Sequence, residues 1–302
     1  MMKKILVSGI INIETSLKVD SFHLNDIKVV YPFFGISSRV SGSGMNIAKA
    51  ISTLGAKPLL FSLVGKDNST GTVYEEMHKY NISTKYINET LNETPQSVIL
   101  YDNDGNSQKH IDLKDIQEKD YSTTEIKSII KTCSISALCN INFSRSFLKI
   151  AKEYTLIATD IHALSSIDDE YNKEFMEYAD ILFLSRENLS INPYDFIKEL
   201  SAKFKAKIIV IGMGKEGAIL YYRNDNFINL FPAVTTRPIV NVAGAGDALF
   251  ASFLFFYNKT HDPYLSLNNA IIFASYKIGT NSPADGFLSE KDLSVLPYTI
   301  LK

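Results

Sequence analysis

Five uninterrupted apolar runs constrain what this chain can fold into more than any other feature. They are KILVSG (Lys4–Gly9), PLLFSLVG (Pro58–Gly65), TLIATDI (Thr155–Ile161), DILFLS (Asp180–Ser185) and KIIVIGM (Lys207–Met213). Each is continuous rather than alternating, so each predicts a strand covered on both faces, which is the condition of a parallel sheet. Helical spacing fills the intervals. Ile47, Ala48, Ile51 and Leu54 share one face, as do Phe196, Ile197, Leu200 and Phe204, and the second helix opens at Asn192-Pro193 with a capping side chain and a first-turn proline. Strand, helix and strand in repetition predict an α/β fold, a doubly wound and mostly parallel sheet flanked by helices.

Two stretches break the alternation. Residues from Glu14 to Arg39 mix polar and aromatic positions, and SVILYDNDGNSQKHIDL reads as a hairpin turning at Asp104-Gly105. Together they predict a small second sheet, an excursion that serves a compact domain as a lid or an interface. The expected division is a core of residues 1–11, 38–93 and 117–302 with a small β lid of 12–37 and 94–116. A chain of 302 residues is long enough to bury a large core in this arrangement.

Charge and composition narrow the partners. The formal net charge is -2, with lysines, arginines and acids spread along the chain, so no basic face stands ready for a phosphate backbone and nucleic acid is not expected. The longest apolar run, Ala248–Tyr257, is about half of the ~20 residues a spanning helix needs. The amino-terminal MMKKILVSGI reads as a first strand and not as a signal peptide, so no membrane partner and a cytoplasmic location are expected. Cys133 and Cys139 lack the spacing of a zinc site or a disulfide framework and are expected as buried, reduced thiols.

Three glycine loops carry the chemistry. In NVAGAGDALFASFLFF (Asn241–Phe256) a small-residue knot leads into an apolar helix, where unpaired N–H groups and the positive end of the helix dipole suit an anion. A carboxylate at Asp247 would repel a resting phosphate, so its use there is to take a proton from an incoming hydroxyl. Read locally, Gly244 and Gly246 could equally form a tight turn with Asp247 capping the helix. The second loop, SGSGMNIAKA (Ser41–Ala50), fails as a dinucleotide fingerprint because Ile47 holds the sixth position. Its Asn46 could bond a ligand or cap its own turn. The third loop, GMGKEGA (Gly212–Ala218), could cover a nucleotide or be a plain hairpin with Gly217 at positive φ. A P-loop sequence is absent.

In this order the loops resemble the ribokinase-like, or PfkB, family of carbohydrate and nucleoside kinases, over nearly the whole chain. Gly244-Ala245-Gly246-Asp247 is similar to the family's carboxy-terminal Asp-Thr-x-Gly-Ala-Gly-Asp signature, and SGSGMNIA to its Gly-Gly-x-Gly-x-Asn signature. VGKDNSTG (Val64–Gly71) looks like the Gly-x-Asp-x-x-Gly element, GMGKEGA like the Thr-x-Gly-x-x-Gly nucleotide loop, and GIINIE (Gly9–Glu14) stands where members carry Asn-x-Asp. The resemblance implies a ribokinase-like fold and an ATP- and Mg2+-dependent kinase phosphorylating a primary hydroxyl of a small sugar or nucleoside. It implies Asp247 as catalytic base, an anion hole of Gly244, Ala245 and Gly246, and Asn12, Glu14, Gly42, Gly44 and Asn46 on the substrate. Gly214, Gly217, Ser185 and Asn269 would serve the nucleotide, Asn188 would reach the metal through water, and the lid could join two copies in a homodimer.

The chain departs from the family at Ser41, Glu14, Gly212, Ser185, Asn188, Asn241 and Val242. In Glu14 the extra methylene moves the carboxylate by about 1.5 Å, where a site must hold to roughly 0.5 Å. Asn241 removes the full charge of an aspartate that often helps bind an activating potassium ion, so little dependence on potassium is expected. The changes at Ser185, Asn188 and Asn241 also motivate a rival function, a ligand-binding regulator on the same scaffold that has lost turnover. A nicotinamide-dependent oxidoreductase would need a fingerprint this chain lacks.

Overall fold

The computed structural model describes residues 3–22, 29–102, 107–122, 126–280, 282 and 284–301. All five apolar runs are strands of one sheet, nine-stranded among the described residues. In spatial order its strands are Phe227–Pro232, Gly217–Tyr222, Ile208–Gly212, Ile181–Ser185, Leu156–Ala163, Cys133–Leu138, Lys4–Ser8, Leu59–Gly65 and Ile87–Leu91. The first two are antiparallel and the rest run parallel. Burial explains the continuous runs. Ile5, Val7, Ile181, Phe183, Ile208 and Val210 join one core, while their neighbours Leu6, Leu182, Leu184, Ile209 and Ile211 join a second on the opposite face. Helices Ser43–Thr53, Asn68–Lys79, Ala245–Thr260 and Pro263–Lys277 cover the first face, and Ile126–Ile130, Arg145–Lys152, Lys173–Tyr178 and Pro193–Lys203 the second.

The expected small sheet is present. Its strands lie in the order Ile36–Ser41, Asn12–Lys18, Gln96–Tyr101, Ser107–Asp112, the central pair parallel and the outer pairs antiparallel. The strand Ile36–Ser41 carries this sheet past the expected boundary at 37, and the predicted turn residues Asp104 and Gly105 lie outside the described residues. Chain continuity sets where the small sheet sits. Lys4–Ser8 leads through Gly9 and Ile10 into Asn12–Lys18, and Ile36–Ser41 leads through Gly42 into the helix Ser43–Thr53. It therefore hangs over the carboxyl ends of the parallel strands.

Local signals read from sequence hold in detail. Asn192 caps its helix by accepting the Tyr194 N–H at 2.9 Å ahead of Pro193. Asp67 of VGKDNSTG caps Asn68–Lys79 through the Ser69 N–H (2.8 Å) and also accepts the Thr94 N–H at 2.6 Å, a structural turn that ties this loop to the next strand. Both cysteines are buried free thiols. Among the described residues no helix is long and apolar enough to cross a membrane.

Candidate active site

A cavity of about 360 Å³ opens between the small sheet and the carboxyl ends of the central parallel strands, the crevice where open α/β sheets take ligands. Asn12, Glu14, Ser97, Lys109 and Ile111 line it from the small sheet; Cys139 and Asn140 follow a main strand and His162 stands near the end of the next; Gly42, Asn46, Gly244 and Asp247 come from the two helix starts.

The helix starts are brought together by close backbone packing. A Cβ on Gly44 would stand 2.6 Å from the carbonyl carbon and oxygen of Gly9, and a Cβ on Gly9 would stand 2.8 Å from the Gly44 Cα, so neither position admits a side chain. This contact seats Ser43–Thr53 against the first strand. Asn46, one turn in, then donates its Nδ2 hydrogen to Asp247 Oδ2 at 2.8 Å across 201 residues of sequence. Asp247 lies in the first turn of Ala245–Thr260, whose N-cap is Gly244, and the N–H groups of such a turn have no intrahelical acceptor. The Ala245 N–H is an exception, because it donates to Val242 O at 3.1 Å and closes the loop. Among the three residues expected to form the anion hole, that N–H is engaged within the protein.

Two of the departures from the family pattern meet in space. The Ser41 hydroxyl lies 3.3 Å from Glu14 Oε2 and 3.4 Å from Asn46 Oδ1, so serine supplies a donor where glycine would have none. Glu14 keeps its other oxygen, Oε1, buried without a partner, and so does Asn12 its Oδ1 while its Nδ2 donates to Ser97 Oγ at 2.8 Å. Two buried acceptors on one cavity wall call for a ligand rich in O–H or N–H donors.

Burial pushes the Glu14 carboxyl above its ordinary range, against the opposing charges of Lys109 and Arg39 and the Ser41 bond. Burial likewise raises Asp247, opposed by the nearby His162 charge and the Asn46 bond, while Asp160 adds to the rise. The Asp247 side chain keeps access to the cavity even though protein surrounds it. A carboxylate raised in this way is a better proton acceptor than an exposed aspartate. The Cys139 thiol is pushed up to about 12 by burial, so it is inert at neutral pH.

Other expected site residues fall elsewhere. Gly44 packs on Gly9 and does not line the cavity. Gly217 has φ 112 and opens the antiparallel hairpin, where a Cβ would stand 2.0 Å from Phe231 O, so the fold itself requires glycine there. Ser185 ends its strand beside Gly212, and its hydroxyl accepts the Glu187 N–H at 3.2 Å. Asn188 is exposed at φ 66, and Gly214 starts the short turn before the hairpin. These sit along the same carboxyl edge as the cavity but outside its lining, and half-buried Asn269, midway along Pro263–Lys277, does not line it either. Lys109, Asp160, His162 and Lys277 were not picked out by sequence reasoning. Asp160 Oδ1 accepts the His162 N–H at 2.9 Å and so holds His162, at φ 58, at the cavity wall.

Comparison with known proteins identifies the family and the fold. A family model described as pfkB family carbohydrate kinase matches residues 2–284. The nucleoside kinase of Methanocaldococcus jannaschii is 25% identical over 279 residues, covering 86% of this chain and 85% of that protein. Among solved structures, a microbiome-derived acarbose kinase superposes with a TM-score of 0.86 at 21% identity over 98% of this chain and 99% of its own. The ribokinase of Arabidopsis thaliana, solved with ribose and ATP, superposes with a TM-score of 0.81 at 17% identity over 97% of this chain and 98% of its own. The fold, the paired helix starts and the family match lead to one conclusion: this chain belongs to the pfkB family of carbohydrate kinases.

Proposed function

We propose that the chain transfers the terminal phosphoryl group of ATP to a primary hydroxyl of a small sugar or nucleoside. The observation that carries this is the Asn46–Asp247 contact at a helix N-terminus, facing the unpartnered Glu14 Oε1 and Asn12 Oδ1 across one cavity. Glu14 and Asn12 accept bonds from the acceptor's other hydroxyls. Asp247 takes the proton of the reacting hydroxyl, whose oxygen then bonds to the γ-phosphorus as the bond from that phosphorus to the bridging oxygen breaks and ADP leaves. N–H groups of Gly244 and Gly246 stabilise the charge on the phosphoryl oxygens.

Mg2+ comes with the nucleotide, because it prefers phosphate oxygens and retained waters to an all-protein cage. When bound it neutralises charge on the phosphates. Ser185 and Asn188 are the side chains that would meet it through water, and Gly214 and Gly217 would shape the loop over the nucleotide. The small sheet acts as the lid that keeps water from the transferred group. Its exposed Val29, Tyr31, Phe33 and Phe34 support a homodimer through the lid, checked by sedimentation. ATP dependence favours a cytoplasmic protein.

The experiment is ADP release with a mixed pool of sugars and nucleosides, followed by a thermal-shift screen of single compounds with a non-hydrolysable ATP analogue. Stabilisation by an acceptor without ADP release from any member of the pool would refute the kinase function and leave the binding regulator.

A further inference from the structure

The most buried cation among the described residues has no place in the mechanism above. Lys277 ends the helix Pro263–Lys277 with 0% of its surface exposed. A lysine at a helix C-terminus favours the dipole from the surface and has no need of burial for that. Its Nζ instead donates to the carbonyl oxygen of Ala243, the residue before the N-cap Gly244. The adjoining Ile278 carbonyl accepts the N–H groups of Val240 (2.9 Å) and Asn241 (3.0 Å). The loop from Val240 to Gly244 is therefore fastened to the end of this helix at both of its ends.

Resting on the function argued above, we propose that Lys277 is a positioning residue for phosphoryl transfer. Its ammonium pins the Ala243 carbonyl and so fixes the N–H groups at Gly244 and Gly246, together with the Asp247 carboxylate, toward the cavity. Within the loop only backbone N–H groups are tied down, Ala243 to Asn241 Oδ1 and Ala245 to Val242 O, while Ala243, Gly244, Ala245 and Gly246 carry no side chain that could anchor it to the rest of the fold. A buried ammonium donates up to three hydrogen bonds and supplies a charge that no neutral side chain would. The groups facing it from the surrounding elements are Asp247 of Ala245–Thr260, Glu14 and Lys109 of the small sheet, and Asp285 of the carboxy-terminal segment. Three acids and one base leave the pocket negative, so the cation offsets charge exactly where the acids gather around the acceptor. Burial still dominates, and it pulls the Lys277 amine down to about 8 against the three acids. The sign follows: the ammonium is present below about 8 and is lost as pH rises through that value.

The test uses the full chain with a sugar or nucleoside that supports ADP release. Wild-type kcat/KM falls as pH rises through about 8, since that ratio reports groups of the free enzyme. Lys277→Met, judged folded by circular dichroism and a cooperative melt, loses about 10²-fold in kcat with acceptor KM within about threefold, and the alkaline limb is gone. Methylammonium chloride restores part of its turnover, and choline chloride at equal ionic strength does not. A flat wild-type profile across the alkaline range, or full turnover by Lys277→Met, overturns the proposal. Should the methionine variant fail to fold, the wild-type profile decides alone. Absence of turnover in the wild type refutes the function argued above, whereas turnover with a flat profile refutes only the role of Lys277.

Discussion

Replacing Asp247 by asparagine removes one negative charge and one proton acceptor while keeping the shape of the side chain. The 2.8 Å bond from Asn46 survives, because Asn46 Nδ2 can donate to the amide oxygen of the substituted side chain as it does to Oδ2. Burial disfavours the charge that is lost, so folding stability should change by no more than about 1 kcal/mol. Turnover is a different matter. Loss of a general base slows transfer by ~10²- to 10⁴-fold, equivalent to about 3 to 5 kcal/mol on the barrier. The acid limb of wild-type kcat/KM also follows from the site. Burial raises Asp247, so the acceptor of the proton is lost as pH falls through a value above the ordinary aspartate range, and that limb disappears from the residual activity of Asp247→Asn. The assay is coupled ADP release for rate, with calorimetry of the acceptor and of a non-hydrolysable ATP analogue for binding. A folded variant turning over at near-wild-type rate would show that Asp247 is no base. Loss of acceptor affinity in step with kcat would make it a holding group instead.

Glu14→Ala and Asn46→Ala should each weaken acceptor affinity by about 1 to 3 kcal/mol and leave the ATP analogue bound as before, because each strands substrate hydroxyls; calorimetry giving the reverse pattern would mean the two ligands are placed the wrong way round. Initial rates should respond little to potassium chloride balanced against choline chloride, since the Asn241 Oδ1 is already engaged by the Ala243 N–H at 2.9 Å, and Asn241→Asp should introduce a response; strong saturable activation of the wild type contradicts this. Lys49→Met should destabilise by about 2 to 4 kcal/mol in urea melts, less than a fully buried triad because Glu76 and Asp285 keep 21% and 41% of their surfaces exposed. Burial would raise Asp285, but the Lys49 charge and hydrogen bond hold it at about 2, so its contribution is present above the ordinary carboxylate range and lost as pH falls toward 2. The difference between Lys49→Met and wild type should shrink in that window, and a difference constant down to acid pH would refute the pairing.

What could be read from the sequence was local in origin. A strand buried on both faces must be apolar throughout, so the runs at Leu59–Gly65 and Ile208–Gly212 announce themselves. The cap at Asn192 involves residues two apart. The site residues that were missed depend on distance in the chain. Lys277 looks like any basic residue closing a helix, and only the fold shows the loop lying over it. Lys109 belongs to a strand whose residues are all exposed, which reads as plain surface until Glu14 stands opposite. His162 follows the last apolar residue of its run, and its place in the final residues of a parallel strand was the one signal available. Gly44 and Gly217 show the converse: glycines that a motif assigns to ligands are required by neighbouring backbone at Gly9 and Phe231.

Asn12 and Glu14 belong to the same small sheet that covers the cavity, not to the floor beneath it. On the function proposed here, gripping the acceptor and shutting the chamber become one motion, driven by the same hydroxyl contacts. An enzyme built this way has a safeguard against wasting nucleotide: with no polyol to bridge Glu14 to the helix starts, nothing draws the cover down, and water meets ATP in an incomplete site. Selectivity then extends beyond fit. A compound that fills the space yet fails to tie cover to floor would bind and stay unreacted, behaving as an inhibitor where a snug pocket alone would have made it a substrate.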